Sequence, residues 1–260
     1  MSRLIRSELL KLRTTRLWWG LLLGLLGLVA LNVVPSALFA GQEFGAGVPA
    51  SPGLQEIAGA QAAYGAGYQA GYLLVLVLGV IIGAVDRRHG TATQTFLATP
   101  SRGRVAIAKM VVAALAGLLY GLVAQVATVA VAAPVILARG AELRLGNADV
   151  ARSLVLGIPG IALWGVIGVA LGILLRHQIA AILVAVVYIF VGDVLLSGGL
   201  SLTGLDGAVA YTPNNASNAI VGGFTGFDLL EWWAGMLVLL SYGLLIALVG
   251  WLVGRNRDIV

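Results

Sequence analysis

Residues 17–40 read LWWGLLLGLLGLVALNVVPSALFA, a run of 24 residues without one charged side chain. The hydrocarbon core of a bilayer is about 30 Å thick, and a helix needs roughly 20 apolar residues to cross it. This run is therefore long enough to span a membrane. Five further runs of this kind follow, and the sequence predicts six spans, at residues 17–40, 67–85, 105–137, 153–175, 179–197 and 229–253.

The composition excludes a soluble protein. Of the 260 residues, 60% are hydrophobic and 10% are charged, whereas a soluble domain is about 45–50% apolar and about 25% charged. The short polar breaks leave no room for a separate soluble domain. We therefore expect an all-α integral membrane fold, with residues 1–260 forming a single transmembrane domain. Cysteine is absent, which excludes a disulfide framework and thiolate metal sites.

The positions of the Lys and Arg residues predict the orientation of the chain, because cations near the ends of spans favour the cytoplasmic side. Only Arg139, Arg144 and Arg152 fall on one side of the predicted spans. The other thirteen fall on the opposite side: Arg3, Arg6, Lys11, Arg13, Arg16, Arg87, Arg88, Arg102, Arg104, Lys109, Arg176, Arg255 and Arg257. We expect a multi-pass cell-membrane protein with both termini in the cytoplasm, and no nucleic-acid partner.

The segment before the first span is amphipathic. Ile5, Leu9 and Leu12 recur at helical spacing, which predicts an interfacial helix over residues 1–16 on the cytoplasmic membrane surface. The apolar run after it exceeds the 7–15 residues of a signal-peptide core. We therefore expect the first span to be retained.

Glycines lie four residues apart in several predicted spans. Small residues at this spacing allow the backbones of two membrane helices to approach closely, although glycine is also common in membrane helices generally. The pairs are Gly20 and Gly24, Gly67 and Gly71, Gly79 and Gly83, Gly117 and Gly121, and Gly168 and Gly172.

The predicted spans hold few residues that could do chemistry. Asp193 is the one clear acid at depth, about four residues before the end of the fifth predicted span. It could line a substrate path, or it could lie near the outer interface and bond a neighbouring helix. His89 and His177 are the only histidines, and both fall in loops. We assign no catalytic, cofactor-binding or metal-binding residue. Without a Gly-x-x-x-x-Gly-Lys motif, any ATP would be bound by another chain.

The loop between the second and third spans is the most informative part of the sequence. Residues 86–109 read DRRHGTATQTFLATPSRGRVAIAK. Gly90 and Pro100 bracket a short amphipathic segment, so loop 86–104 is expected to contain a helix parallel to the membrane. A partner that pushed on this helix would move the two attached spans together.

This loop resembles that of the permeases of type 2 ABC exporters. In that family an acidic residue at the end of the second span precedes Gly-Thr, then Pro and Arg, and finally a Lys that enters the next span. The matching positions here are Asp86, Gly90, Thr91, Pro100, Arg102 and Lys109. Near the amino terminus, Glu8, Lys11, Arg13 and Trp18 are similarly placed to those in the family's interfacial connecting helix.

The resemblance implies a permease subunit that binds no cofactor itself and works with a separate ATPase, present in two copies, which binds ATP and magnesium. It also implies a second copy of the permease or a homologue. Residues 90–98 would form the coupling helix, and the interfacial helix, with Glu8, Lys11 and Arg13, would contact lipid and ATPase. Membrane anchoring alone is the alternative for the basic residues. The implied ATPase-coupling residues are Asp86, Arg87, Arg88, Gly90, Thr91, Phe96, Pro100, Arg102 and Lys109.

The segment 198–228 lacks Lys and Arg and contains Tyr211-Thr-Pro-Asn-Asn215. It is suited to an outer re-entrant hairpin, as in permeases of this class, and a plain outer loop would be equally polar. The candidate pathway residues are Asp193, Asn214 and Asn215. Spans of Leu, Val, Ala and Gly suit a hydrophobic or amphipathic cargo, such as a drug, an antibiotic or a lipid-like molecule. The alternative function is an ion-gradient-driven transporter or channel with Asp193 in its pathway.

Overall fold

The protein is described here from a computed structural model, which covers residues 1–42, 51–88, 101–175, 177–223 and 228–255. The described residues are helical apart from short connections. The helices are α1 (Ser2–Thr14), α2 (Leu17–Leu38), α3 (Ile57–Arg88), α4 (Arg102–Ala138), α5 (Ala148–Leu174), α6 (Gln178–Leu202), α7 (Asp206–Val209), α8 (Pro213–Val221) and α9 (Trp232–Arg255).

Six helices in the described part of the chain are long and apolar enough to cross a membrane, namely α2 to α6 and α9. This finding confirms the predicted all-α membrane fold. In α3 and in α5, 61% of the residues in the most apolar 18-residue window are buried, whereas the share is 17–33% in the other four helices. The α3 and α5 helices therefore form the core, and the others leave much of their apolar surface for lipid.

Glycine explains how closely α3 and α5 pack. A Cβ atom added to Gly79 would lie 2.2 Å from Gly165 O, and one added to Gly168 would lie 2.2 Å from Leu76 O. Both distances are far below van der Waals contact with backbone atoms that cannot move aside. The two backbones therefore touch directly, as expected for small residues four apart in lipid.

The other glycine pairs divide into two groups. Added Cβ atoms on Gly67 and Gly117 would also collide, with Thr128 Oγ1 at 1.7 Å and Ala162 Cα at 2.6 Å. At Gly20, by contrast, nothing lies within 4 Å. Close packing thus explains most of the predicted pairs, whereas Gly20 has no packing requirement.

The α1 helix lies against the bundle through its apolar face. Ile5, Leu9 and Leu12 are partly buried against the hydrophobic core, which matches the helical spacing seen in the sequence. Met1 and Leu10, outside this face, are exposed at 54% and 62%. The amphipathic α1 helix therefore packs its apolar face against the other helices of the bundle.

Several helices extend beyond their predicted spans, and α3 and α4 are examples. The α3 helix begins at Ile57, ten residues before the predicted span. Small and aromatic residues near its start, such as Ala63 and Tyr64, are buried against the bundle, and this packing stabilises the extension. The α4 helix continues through Pro134 to Ala138, one residue past the predicted end of the third span at residue 137. A proline this close to the end of a helix removes only one main-chain hydrogen bond.

Arg139, at the opposite end of the bundle from α1, binds main-chain carbonyls. Arg139 donates to the carbonyl oxygens of Leu38, Ala37 and Ala40 at the end of α2. These carbonyls have no partner within the helix, and a cation there is also favoured by the helix dipole. Arg139 therefore caps α2 from α4, which explains an arginine on this side of the molecule.

Candidate functional site

The candidate site begins with two charged residues on α1. Glu8 and Lys11 lie one helical turn apart, and Lys11 Nζ is 2.6 Å from Glu8 Oε1. Glu8 is only 3% exposed, because it lies on the same face of α1 as Ile5 and Leu12, against the bundle. A buried carboxylate requires partners, and the neighbouring helices supply them.

Four side chains from three helices form a closed ring of alternating charge. Lys11 Nζ lies 2.8 Å from Asp86 Oδ1, at the end of α3, and Lys109 Nζ lies 2.9 Å from Asp86 Oδ2. Lys109 Nζ also lies 2.9 Å from Glu8 Oε2. Each charge therefore has two neighbours of opposite sign. We call Glu8, Lys11, Asp86 and Lys109 the ion-pair ring.

Lys109 is the most enclosed cation of the ring. Its side chain is 4% exposed, and its ammonium group also donates to Ile82 O at 2.9 Å. Three oxygen atoms, from Glu8, Asp86 and Ile82, thus match its three N–H donors. Removing one member of such a buried ion pair leaves an uncompensated charge, at a cost of about 3–5 kcal/mol.

Lys11 closes the ring at its more exposed side, where its side chain is 38% exposed. Burial alone would lower the pKa of Lys11, but hydrogen bonds and attraction from Asp86 and Glu8 outweigh it and raise the pKa above its usual value. Lys11 therefore stays charged at physiological pH and keeps two positive charges opposite two negative ones.

Two members of the ion-pair ring lie at the two ends of the loop between α3 and α4. Asp86 lies in the last turn of α3, and Lys109 lies in the second turn of α4. Gly90, Thr91, Phe96 and Pro100, and the coupling helix expected over 90–98, lie outside the described residues. Arg87, Arg88 and Arg102 are helical, but their side chains lie outside the description, and Arg13 is exposed on α1.

A second polar cluster surrounds Asp193 and joins α6 to α8. The helix α6 contains a π-helical turn, Tyr188–Gly192, immediately before Asp193. Asp193 Oδ1 accepts hydrogen bonds from Tyr188 OH and from the main-chain N–H of Asn214, each at 3.2 Å. Its Oδ2 accepts from Thr212 Oγ1 at 3.5 Å. Asn214 also donates through Nδ2 to Ile189 O at 3.0 Å.

These contacts make Asp193 a cap for α8 that comes from another helix. Asn214 is the second residue of α8, where main-chain N–H groups lack partners within the helix and a carboxylate is favoured by the helix dipole. Asn215 completes the turn, donating to Thr212 Oγ1 at 3.0 Å and to Val209 O at 3.1 Å. The cluster therefore fastens the start of α8 to α6.

The helix that carries Asp193 is longer than predicted. The sequence placed it about four residues from the end of its span, but α6 continues to Leu202, nine residues beyond Asp193. The predicted fifth span ended at residue 197, just before two glycines. In the structure residues 197–199 stay helical, α6 ends at Leu202, and Gly204, two residues further on, has a φ of +74°.

The middle of α8 is fastened by residues that the sequence analysis did not single out. Ser217 is fully buried; its Oγ lies 2.6 Å from Tyr68 OH and accepts a hydrogen bond from Trp164 Nε1 at 2.9 Å. Tyr72 stacks on Trp164 with ring centroids 4.7 Å apart. Aromatic residues with a polar tip inside predicted spans were the available signal, since such tips find partners when buried.

Comparison with protein families identifies the chain. A family model described as "ABC-2 family transporter protein" matches residues 4–192. The chain belongs to this ABC-2 family. The resemblance found in the sequence is thereby confirmed, and the matched region includes all four residues of the ion-pair ring. Comparison with curated proteins gives no match. The ABC-2 assignment and the six spans make this chain a multi-pass membrane permease of an ABC transporter.

Proposed function

We propose that this chain is the permease subunit of an ATP-driven exporter that moves a hydrophobic or amphipathic molecule outward. A separate ATPase subunit, in two copies, binds ATP and magnesium and drives the movement. A second permease, identical or homologous, completes the path. The chain lies in the cell membrane with both termini in the cytoplasm.

The ion-pair ring is the observation that carries this proposal. The loop between α3 and α4 is held at both ends, because Asp86 and Lys109 are bound to each other and to α1 through Glu8. A force on this loop would therefore move α1, α3 and α4 as one body rather than bending a single helix. Such an arrangement suits a permease driven by a partner that presses on the loop.

The distribution of charge supports a cytoplasmic position for the ring. Thirteen of the sixteen Lys and Arg residues belong to segments on the same side of the predicted spans as the ring. The positive-inside rule requires such an excess of cytoplasmic loops. The last turns of α9 lie at the same end, since a Cβ atom added to Gly103 would be 4.0 Å from Trp251 Nε1. Both termini would thus face the ATPase.

The outer part of the path is proposed to involve α8, with Asp193, Asn214 and Asn215 at its start. Trp164, which binds Ser217 of α8, lies 16 residues (164 − 148) after Ala148, the outer end of α5 in this orientation, about 24 Å along a helix that rises 1.5 Å per residue. That depth supports a re-entrant arrangement of residues 206–221. Because Asp193 caps α8 through neutral donors, its contacts favour an anchoring role over that of an ion pathway in a gradient-driven transporter.

The test combines co-purification with an ATPase assay. The protein is purified from its native membranes in mild detergent, with residues 90–98 either intact or replaced by Gly and Ser. We expect a nucleotide-hydrolysing partner that is lost with the altered loop. Lys109→Met is expected to leave the partner bound but uncouple ATPase activity from substrate.

Arg152→Met is the matched control, because Arg152 forms an exposed ion pair with Asp149 at 3.1 Å. It should preserve both the partner and the coupling. Recovery of the wild-type protein without any ATPase, under every condition, would overturn the proposal and favour a gradient-driven transporter.

A further inference from the structure

A groove of about 500 Å³ runs along the bundle between α4 and α5. Its volume is within the range of small-molecule sites, about 300–1,000 Å³. The walls include Leu122, Val126 and Val155, which are 51%, 63% and 63% exposed. These side chains belong to spanning helices, so the groove opens on the surface that meets the hydrocarbon of the bilayer.

One polar side chain lines this groove. Gln125, on α4, is only 5% exposed, and its Oε1 is buried without a hydrogen-bond partner among the described residues. In hydrocarbon there is no water to satisfy such an acceptor, and an unsatisfied polar group costs free energy. A leucine or methionine at this position would avoid that cost entirely.

The neighbouring helix leaves space for the amide. A Cβ atom added to Gly157, on α5, would lie 1.9 Å from Gln125 Nε2 and 3.4 Å from Tyr68 Cδ2. Any larger residue at position 157 would displace the amide or the helix. The packing of α5 therefore accommodates a buried amide whose acceptor oxygen lacks a hydrogen-bond partner, and an apolar groove alone would not require this accommodation.

We propose that this groove binds an amphipathic molecule from the surrounding membrane, with a long apolar body and one hydroxyl or amide N–H group that donates to Gln125 Oε1. The exposed apolar walls contact the body, and the amide selects for the donor. Water is a poor occupant, because a buried water needs two to four polar partners and this groove offers a single amide. The site differs from the proposed transport path at α8.

A second groove provides an internal control. It lies between α4, α5 and α9, measures about 510 Å³, and includes Leu118, Leu163 and Met236 among its apolar walls. Its polar side chains are Trp232 and Trp233, whose indole groups donate but do not accept hydrogen bonds. This groove should therefore bind apolar chains without selecting for a hydroxyl group.

The test uses the purified protein in lipid nanodiscs and two photoactivatable probes, a long-chain alcohol and its methyl ether. Cross-linked peptides are identified by mass spectrometry. We expect the alcohol to label the groove at Gln125 several-fold more than the ether, and both probes to label the groove at Leu118 equally. In Gln125→Leu and Gln125→Met the preference for the alcohol should disappear at the first groove only.

Equal labelling by the alcohol and the ether in the wild-type protein would overturn the proposal, as would a preference that persists in both variants. Unchanged labelling at Leu118 shows that a variant is folded. If one of the two variants at Gln125 does not fold, the other still provides the test. The measurement needs neither ATP nor a partner, so its failure would leave the proposed exporter function standing.

Discussion

Lys109 Nζ lies 2.9 Å from Glu8 Oε2, which joins two residues that are 101 positions apart in the chain. The bond crosses from the second turn of α4 to the amino-terminal helix, and Asp86 and Lys11 close it into a ring. Each of the four charges depends on its two neighbours, so the ring should respond to mutation as a unit rather than as separate pairs.

Lys109→Met should be strongly destabilising. The substitution leaves Glu8 and Asp86 buried with a single cation between them, and breaking a buried ion pair in this way costs about 3–5 kcal/mol. Arg152→Met, at the exposed pair with Asp149, should change stability by less than about 1 kcal/mol. The thermal melting of both variants in the same detergent measures the difference. Equal effects would show that the ring contributes no more than a surface pair.

Exchanging the charges of Glu8 and Lys109 distinguishes a ring from a simple pair. In the double variant Glu8→Lys with Lys109→Glu, the direct attraction between positions 8 and 109 is kept. However, position 8 then repels Lys11 and position 109 repels Asp86. We therefore expect the double variant to be no more stable than Lys109→Met, as measured by melting temperature. Full rescue would mean that stability depends on the attraction between positions 8 and 109 and not on the pairs Glu8–Lys11 and Lys109–Asp86.

The raised pKa of Lys11 predicts the pH dependence of the ring. A group whose pKa is higher in the folded state stabilises that state fully below the unfolded value, here 10.5, and the contribution is lost as pH rises through the folded pKa. The difference in melting temperature between wild type and Lys11→Met should thus be constant from pH 7 to 10 and shrink above about pH 10.5. A difference that shrinks already between pH 7 and 9 would contradict this assignment.

The sequence predicted the members of the ring but not their contacts. Glu8, Lys11, Asp86 and Lys109 were named because they match a family pattern, and membrane anchoring alone was the alternative for the basic residues. The contacts follow from tertiary packing, since α1 must lie against α3 and α4 before residue 8 can reach residue 109. No periodicity within α1 or α4 encodes that arrangement.

The length of α6 was not predictable for a different reason. Hydropathy marks where a run becomes polar, and Ser197 begins such a change in α6. Hydroxyl groups in a membrane helix can bond to a neighbouring helix, as Ser197 Oγ does by accepting from Asn215 Nδ2, on α8, at 3.4 Å. The six spans, by contrast, depend only on the length and apolarity of each run, and for that reason they were predicted correctly.

The contact between α3 and α5 predicts a large effect for a single methyl group. In Gly168→Ala, the new Cβ atom would lie 2.2 Å from Leu76 O and 3.0 Å from Gly79 Cα, so the helices must separate. Overpacking of this kind costs about 1–3 kcal/mol. Gly20→Ala has no atom within 4 Å of its new methyl group and should be neutral or stabilising by up to about 1 kcal/mol. Comparing their melting temperatures with that of wild type tests the contact.

The cap that Asp193 provides should control how firmly α8 is seated. Asp193→Ala removes an acceptor from the main-chain N–H of Asn214, and the loss of an N-terminal cap costs about 0.5–2 kcal/mol. The start of α8 should then open more often. Because the chain has no cysteine, a single cysteine can report this opening: Ala216, on α8, is fully buried.

We expect Asp193→Ala to raise the rate at which a maleimide reagent labels Ala216→Cys, by roughly 2- to 30-fold for that range of free energy. Asp206→Ala is the matched control, because Asp206 is an exposed acid whose carboxylate accepts a hydrogen bond from Ser201 Oγ, on α6, at 2.6 Å. Labelling of the exposed Tyr211→Cys should be the same in every background. If Asp206→Ala raised the labelling of Ala216→Cys as much as Asp193→Ala did, the opening would be a general loosening of the outer segment, and Asp193 would not be the residue that holds α8.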